Sequence, residues 1–245
     1  MKTAVVTGAS GGIGSAIAHR LAADGFSVVA GYHRSAERAE SLVAQLPGHG
    51  HQAMRIAVLE PESLVSLAHT LAESPGSLDV LVNCAGVTRP VPHDDLDALD
   101  DSTIDEIFAT NWRGSFAAIR VLRPLLDKAD GAVVVNISSV AAVTGQGSNV
   151  AYCASKAALD SMTRSLARAL APSVRVVSVS PGWVLGEYAD KMPPEFIDAQ
   201  RVATPLDRLA TVEDVARAVS AVVSDLPFTT GAIISVDGGR PLGAA

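Results

Sequence analysis

Apolar residues in this chain fall into short runs, each followed by a longer stretch whose apolar positions recur every three or four residues. The runs cover Thr3 to Thr7, Phe26 to Ala30, Met54 to Val58, Asp79 to Asn83, Ala132 to Ser138, Val174 to Val179 and Ala232 to Val236. Several, AVVVNIS at 132–138 above all, are apolar almost continuously instead of at alternate positions, which suits parallel strands covered on both faces. The stretches between them carry helix-start signals. Ser102 stands three residues before Asp105, and Thr211 three before Asp214, both resembling capping boxes with Asp in place of Glu. Strand and helix alternating this often predict an α/β protein built on a doubly wound sheet.

Composition narrows the class. With 48% hydrophobic and 18% charged residues and a mean hydropathy of +0.29, the 245 residues can bury a large core. No linker, charge block or repeat divides them, so a single domain over 1–245 is expected. A net charge of -7 argues against nucleic acid as a partner. The N-terminus lacks a secretory stretch, and no apolar run approaches the roughly 18 to 20 residues that span a bilayer. The expectation is a cytoplasmic protein with no membrane partner. Cys84 and Cys153 have no metal-ligand spacing and read as buried, reduced thiols.

Candidate chemistry begins after the first strand, where TGASGGIG opens a helical pattern through Ile13, Ile17 and Leu21. Gly8, Gly12 and Gly14, with Ser10 and Ile13 between them, let the backbone turn tightly and approach a pyrophosphate at a helix N-terminus. The spacing differs from the G-x-G-x-x-G fingerprint, so the position between strand and helix carries the weight. At the end of the second strand an acid would bind the ribose 2′-OH of NAD, and a cation the 2′-phosphate of NADP. AGYHRS offers Tyr32, His33, Arg34 and Ser35 and no acid, which favours NADP(H) over NAD(H).

AYCASKAALDSM at 151–162 predicts a helix on which Tyr152, Lys156, Leu159, Thr163, Leu166 and Leu170 share one stripe. The stripe turns apolar further along and should face inward. A phenol and an ammonium there need polar partners, because an unpaired buried charge costs several kcal/mol.

These segments, with NCAG at 83–86, ATN ending at Asn111, NISS ending at Ser139 and SPG ending at Gly182, resemble the short-chain dehydrogenase/reductase family in order and interval along nearly the whole chain. The C-terminal TGAIISVDGG is similar to the last strand of its 3-oxoacyl-(acyl-carrier-protein) reductase branch. The resemblance implies a single-domain Rossmann fold, a seven-stranded parallel sheet with helices on both faces, and a homotetramer. It implies that Asn111, Ser139, Tyr152 and Lys156 form a catalytic tetrad, with Tyr152 giving its proton to the substrate oxygen and Ser139 holding that oxygen. Lys156 would meet ribose hydroxyls, and Asn111 would hold a water linking Lys156 to solvent. The cofactor would also touch Asn83, Ala85, Gly86, Pro181, Gly182 and Val184. Two departures stand out. Ala57 occupies a position where the family commonly places Asp, leaving adenine to Val58, and Gly186 stands where a Thr often contacts the cofactor.

The implied activity is NADPH-dependent reduction of a ketone, a 3-oxoacyl thioester or related carbonyl, free or carrier-bound. An NAD(P)+-dependent alcohol dehydrogenase and a catalytically silent nucleotide sensor are the alternatives. Residues at about 183–205 would form a substrate lid. His93, Gln146, Ser148, Asn149, Trp183 and Tyr188 are pocket candidates, the two aromatics either facing substrate or closing over apolar surface. No basic cluster marks a carrier-protein grip, although Arg89, Arg113, Arg120 and Arg123 could supply one. The acidic run HDDLDALDD at 93–101 lacks the Gly and Glu of a calcium loop and reads as solvated, so no metal is expected.

Overall fold

A computed structural model describes residues 2–187 and 189–242. Strand β1 (Thr3–Val6) leads into helix α1 (Gly12–Ala23), β2 (Ser27–Tyr32) into α2 (Ala36–Gln45), and β3 (Gln52–Arg55) into α3 (Pro61–Glu73). After β4 (Val80–Asn83) come α4 (Asp101–Phe108), a π-helical turn over Ala109–Gly114, and α5 (Ser115–Leu126). Next are β5 (Ala132–Ile137), the short α6 (Ala141–Thr144), α7 (Val150–Leu170) and β6 (Val174–Pro181). Finally α8 (Pro194–Val202) and α9 (Val212–Ser224) precede β7 (Ile233–Val236).

All seven strands pair in parallel, in the order β3-β2-β1-β4-β5-β6-β7. Side chains alternate across each strand. Ala4, Val6, Val80, Val82, Val133, Val135, Val177 and Val179 pack against α1 and α9; Val5, Leu81, Val134 and Val176 pack against α3, α5 and α7. Both faces are covered, which is why the strands read as continuously apolar. Strand order reverses between β1 and β4, and in an open α/β sheet a ligand crevice forms at the carboxyl ends of the strands at such a point.

Several boundaries differ from the sequence expectation. β2 extends to Tyr32, whose carbonyl accepts from Ile56 at 2.7 Å, and β3 ends at Arg55, earlier than expected. Beyond it the Ala57 amide turns away to the Ser63 hydroxyl at 2.9 Å. The capping box at Thr211 forms, with Asp214 N donating to Thr211 Oγ1 (3.3 Å) and Thr211 N to Asp214 Oδ2 (2.9 Å). Ser102 does not cap. Asp100 takes that place one residue before α4, its carboxylate accepting from Thr103 N and the Ser102 hydroxyl, both at 2.7 Å. A carboxylate outcompetes a hydroxyl for a helix N-terminus because the macrodipole adds to its hydrogen bond. Among the described residues no helix is long and apolar enough to cross a membrane.

Candidate active site

The glycine turn is shaped by two different needs. Gly8 has φ +67°, and a Cβ there would lie 2.9 Å from Ala85 Cα; a Cβ on Gly14 would lie 2.4 Å from Gly8 O. These two glycines let the turn close against β4 and α1. At Gly11 and Gly12 the nearest atoms to a Cβ would be 3.5 and 3.7 Å away, so the rim of the turn has room. Helix α1 starts there with no side-chain cap and no acidic residue in its first turn, leaving its positive end uncompensated. These features fit a phosphate of a dinucleotide. The Thr7 hydroxyl accepts from Cys84 N and Ala85 N, each at 3.0 Å, and ties the turn to the segment 83–86.

Tyr32 ends β2, with His33 and Arg34 exposed beyond it and Ser35 preceding α2. Arg34 makes no ion pair among the described residues. An acid does approach this end, from outside the stretch AGYHRS: Glu60 Oε1 lies 3.9 Å from His33 Nε2. Its charge is already met by Arg55, which donates to both oxygens at 2.6 and 2.7 Å and holds the carboxyl below its usual range. Arg38 pairs with Glu187, linking α2 to the 183–205 segment. Sequence reading missed both pairs because their partners come from distant loops. Val58 is buried against Gly114, where a Cβ would be 2.6 Å from Val58 Cγ2.

Asn111 sits in the π-helical turn and is 1% exposed. π-bulges concentrate at functional sites because the extra residue redirects side chains. The Asn111 amide is fully engaged: Oδ1 accepts from Val87 N (2.8 Å), and Nδ2 donates to Val87 O (3.1 Å) and Ser155 Oγ (3.0 Å). Lys156, on α7, is also buried; its Nζ donates to Ile137 O at 2.8 Å and lies 5.7 Å from the centroid of the Tyr152 ring. A Cβ on Gly86 would lie 3.3 Å from Asn111 Oδ1 and 3.8 Å from Lys156 Nζ, so Gly86 stands beside both. Ser139 is two residues beyond Ile137, its Oγ accepting from Ala141 N at 3.2 Å. Asn111, Tyr152 and Lys156 thus converge past the end of β5, with Ser139 at its margin. Burial pushes Lys156 down to about 8, opposed by the neighbouring Cys84 and Asp160.

A buried polar chain runs beneath them. Asn83 Nδ2 donates to Asn136 Oδ1 (2.9 Å), Asn136 Nδ2 to Thr163 Oγ1 (2.8 Å), and Thr163 Oγ1 shares a hydrogen bond with Ser178 Oγ (2.8 Å). Asn83 therefore meets the interior of the sheet through its side chain. Cys84 and Cys153 are both reduced; Cys153 is buried, but Cys84 is only partly so, and its packing pushes the thiol up to about 11.

The pocket candidates separate. Asn149 is wholly buried and caps α7 by accepting from Tyr152 N at 2.7 Å, while its Nδ2 donates to Arg89 O. His93 Nε2 is 3.1 Å from Gly147 O, Ser148 bonds the Thr88 hydroxyl, and Gln146 is exposed. Trp183 packs edge-on against Phe196 of α8 with centroids 5.1 Å apart; Tyr188 lies outside the described residues. Val184 bridges to Ala210, Pro181 closes β6, and a Cβ on Gly182 would be 3.0 Å from Asp237 Cα. A cavity of about 640 Å³ lies among Leu185, Met192, Ile197, Leu209, Arg201 and Arg208, and none of the described pocket candidates from the sequence lines it. Arg89 pairs with Asp100, Arg123 with Asp127, and Arg120 lies over Phe116, which leaves Arg113 without an ion pair among the described residues. In the acidic run, Asp95 and Asp100 accept backbone amides; no three described His, Cys, Asp or Glu residues are grouped to hold a metal.

A family model described as enoyl-(acyl carrier protein) reductase matches residues 8–240. A Streptomyces violaceoruber protein described as ketoacyl reductase 2 of the granaticin polyketide synthase is 39% identical over 98% of this chain and 96% of its own. The 3-oxoacyl-(acyl-carrier-protein) reductase FabG of Staphylococcus aureus is 33% identical over 97% of both. A solved Brucella melitensis structure, described as a short-chain dehydrogenase/reductase and glucose/ribitol dehydrogenase, superposes with a TM-score of 0.91 at 29% identity, covering 98% of this chain and 96% of that one.

Proposed function

Because the chain belongs to the short-chain dehydrogenase/reductase family and is an oxidoreductase of that family, we propose that it reduces a ketone, a 3-oxoacyl thioester or related carbonyl, using NADPH. The observation that carries the reading is Lys156: a buried ammonium 5.7 Å from the Tyr152 ring, past the end of β5 and beside Gly86.

A bound nicotinamide supplies the hydride that the carbonyl carbon takes. The chain's task is then to protonate the oxygen. A free phenol has a pKa of about 10, and bringing it to neutrality requires about 4 kcal/mol of preferential phenolate stabilisation. Lys156, a positive charge 5.7 Å from the centroid of the Tyr152 ring, favours the phenolate over the phenol by Coulomb attraction. Ser139 holds the substrate oxygen with a second hydrogen bond. Asn111 holds Val87 and Ser155 in place and so fixes the wall beside Lys156. The amides at the start of α1 take the pyrophosphate, and Arg34 the 2′-phosphate.

In this reading the chain acts in the cytoplasm as one domain, with residues 183–205 closing over substrate. It assembles as a homotetramer. The stacked pair Trp112–Phe116 on the outer side of the α4–α5 region, and Phe228 standing fully exposed, are surfaces a second copy would cover. The test is to follow NADPH and NADH consumption with a short 3-oxoacyl thioester. NADPH is expected to be used in strong preference, and Arg34→Ala to raise its KM about tenfold while leaving that for NADH unchanged. Consumption of neither, across a panel of ketones and alcohols, would overturn the reductase reading.

A further inference from the structure

Asp160 lies one turn beyond Lys156 on α7 and is 3% exposed; the Ser138 and Ser178 hydroxyls stand near its carboxylate, but both are also drawn to other acceptors, the Lys156 carbonyl and Thr163, and neither carboxylate oxygen has a partner in good hydrogen-bond geometry among the described residues. A carboxylate buried with such weak partners is costly and calls for an explanation. Resting on the reductase reading, we propose that Asp160 is a positioning residue whose buried charge keeps the Lys156 ammonium protonated and in place beside Tyr152.

The surroundings support a charge at this position. α7 places Asp160 between Lys156 and Arg164, four residues to either side and therefore on the same helix face. β5 presents the Ser138 hydroxyl, which donates to the Lys156 carbonyl at 3.5 Å, and β6 presents Ser178, already tied to Thr163. Burial pushes the Asp160 carboxyl above its ordinary range, opposed by the two hydroxyls and then by the positive charges of Arg164 and Lys156, which favour the ionised form. On the other side of the site Lys156 faces Tyr152, the neutral amide of Asn111 beside Gly86, and Cys84 past β4. The Cys84 thiol, pushed up to about 11, is uncharged near neutrality. Asp160 is then the neighbouring group able to act as an anion on Lys156. No ion pair joins the two within 4 Å, so the influence is a through-space field between two buried groups, where screening is weak.

The sign follows directly. A negative charge nearby makes it harder to remove a proton from the Tyr152–Lys156 pair, whichever member loses it first. Replacing Asp160 by Asn, which keeps the shape and removes the charge, should make the pair more acidic. Reduction needs the protonated pair, so the alkaline limb of kcat/KM should move down by about half to one pH unit, a roughly three- to tenfold loss of rate on that limb. Asp160→Glu should bring the limb back, and Asp160→Ala should mimic Asn if the Asn variant does not fold.

The experiment pairs this profile with an NMR titration of 13Cε-lysine in the full, cofactor-free chain, and with thermal midpoints. The expected result is a lower titration midpoint for Lys156 in Asp160→Asn, matched by the shift in the kinetic limb. An unmoved Lys156 midpoint together with a lowered thermal midpoint would overturn the proposal and leave Asp160 as a structural residue. If wild type turns over no ketone while the Lys156 midpoint still moves, the electrostatic link stands and the reductase reading fails.

Discussion

The two faces of the sheet differ at their upper ends. Under α1 and α9 the strands stay apolar to the last residue, with Val82, Ile137 and Val179 buried in one cluster. Under α5 and α7 the same strands change character, and Asn83, Asn136 and Ser178 follow Leu81, Val134 and Val176. The first face is held by contact alone, which is strong and non-directional. The second gives up apolar burial for hydrogen bonds of fixed direction, which cost stability if any partner is missing. That exchange occurs beneath Lys156 and Tyr152, where side chains have to stand at set distances. The scaffold has a face for stability and a face for geometry.

Substitutions on each face can tell the two roles apart. The largest effect is expected at the polar face. Tyr152→Phe should lower kcat for carbonyl reduction by about 10³-fold, within the range for loss of a general acid, with the melting temperature nearly unchanged. A retained rate would remove the chemistry from that face. On the apolar face, Leu21→Ala should cost about 3 kcal/mol by opening a cavity at a fully buried position, lowering Tm by roughly 6 to 12 °C, while kcat below the transition stays as it was. Asn136→Leu should cost about 2 kcal/mol in calorimetry and also reduce kcat, since Asn83 and Thr163 lose their shared partner. A stabilised Asn136→Leu protein would mean that directional bonding there carries no weight.

The smallest effect belongs to neither face. Asp214 closes the Thr211 capping box and is held down at about 2, first by Arg208. A lowered folded-state pKa means stability that is fully present above 3.8, the ordinary value of the carboxyl, and lost as pH falls toward 2. Asp214→Asn should flatten the acid side of a Tm-against-pH curve in that window, by a few tenths of a kcal/mol given the group's exposure.

Much of this was legible in the chain itself. The continuously apolar runs predicted parallel strands, and seven of them form one parallel sheet with helices on both faces. The inward stripe of α7 was visible as well: Lys156, Leu159, Thr163 and Leu170 are all buried. What escaped depends on distance along the chain. Glu60 reaches His33 from another strand's loop, and Glu187 reaches Arg38 across 149 residues. Local rules cannot pair such groups. Asn149 was legible as polar and near the cleft, yet a helix terminus had the stronger claim on its oxygen. The π-helical turn around Asn111 has no local signature beyond a residue with poor helix propensity.

The seating of Gly182 against Asp237, with Gly182 N donating to Val236 O at 3.0 Å, has a consequence for biosynthesis. A ribosome releases Asn111, Ser139, Tyr152 and Lys156 well before the strand that closes beside them has been translated. Until β7 emerges, Ser178 to Pro181 of β6, the residues it pairs with, form a bare parallel edge. Such an edge is a template for intermolecular pairing. A nascent chain at that stage carries an edge that only the last strand covers.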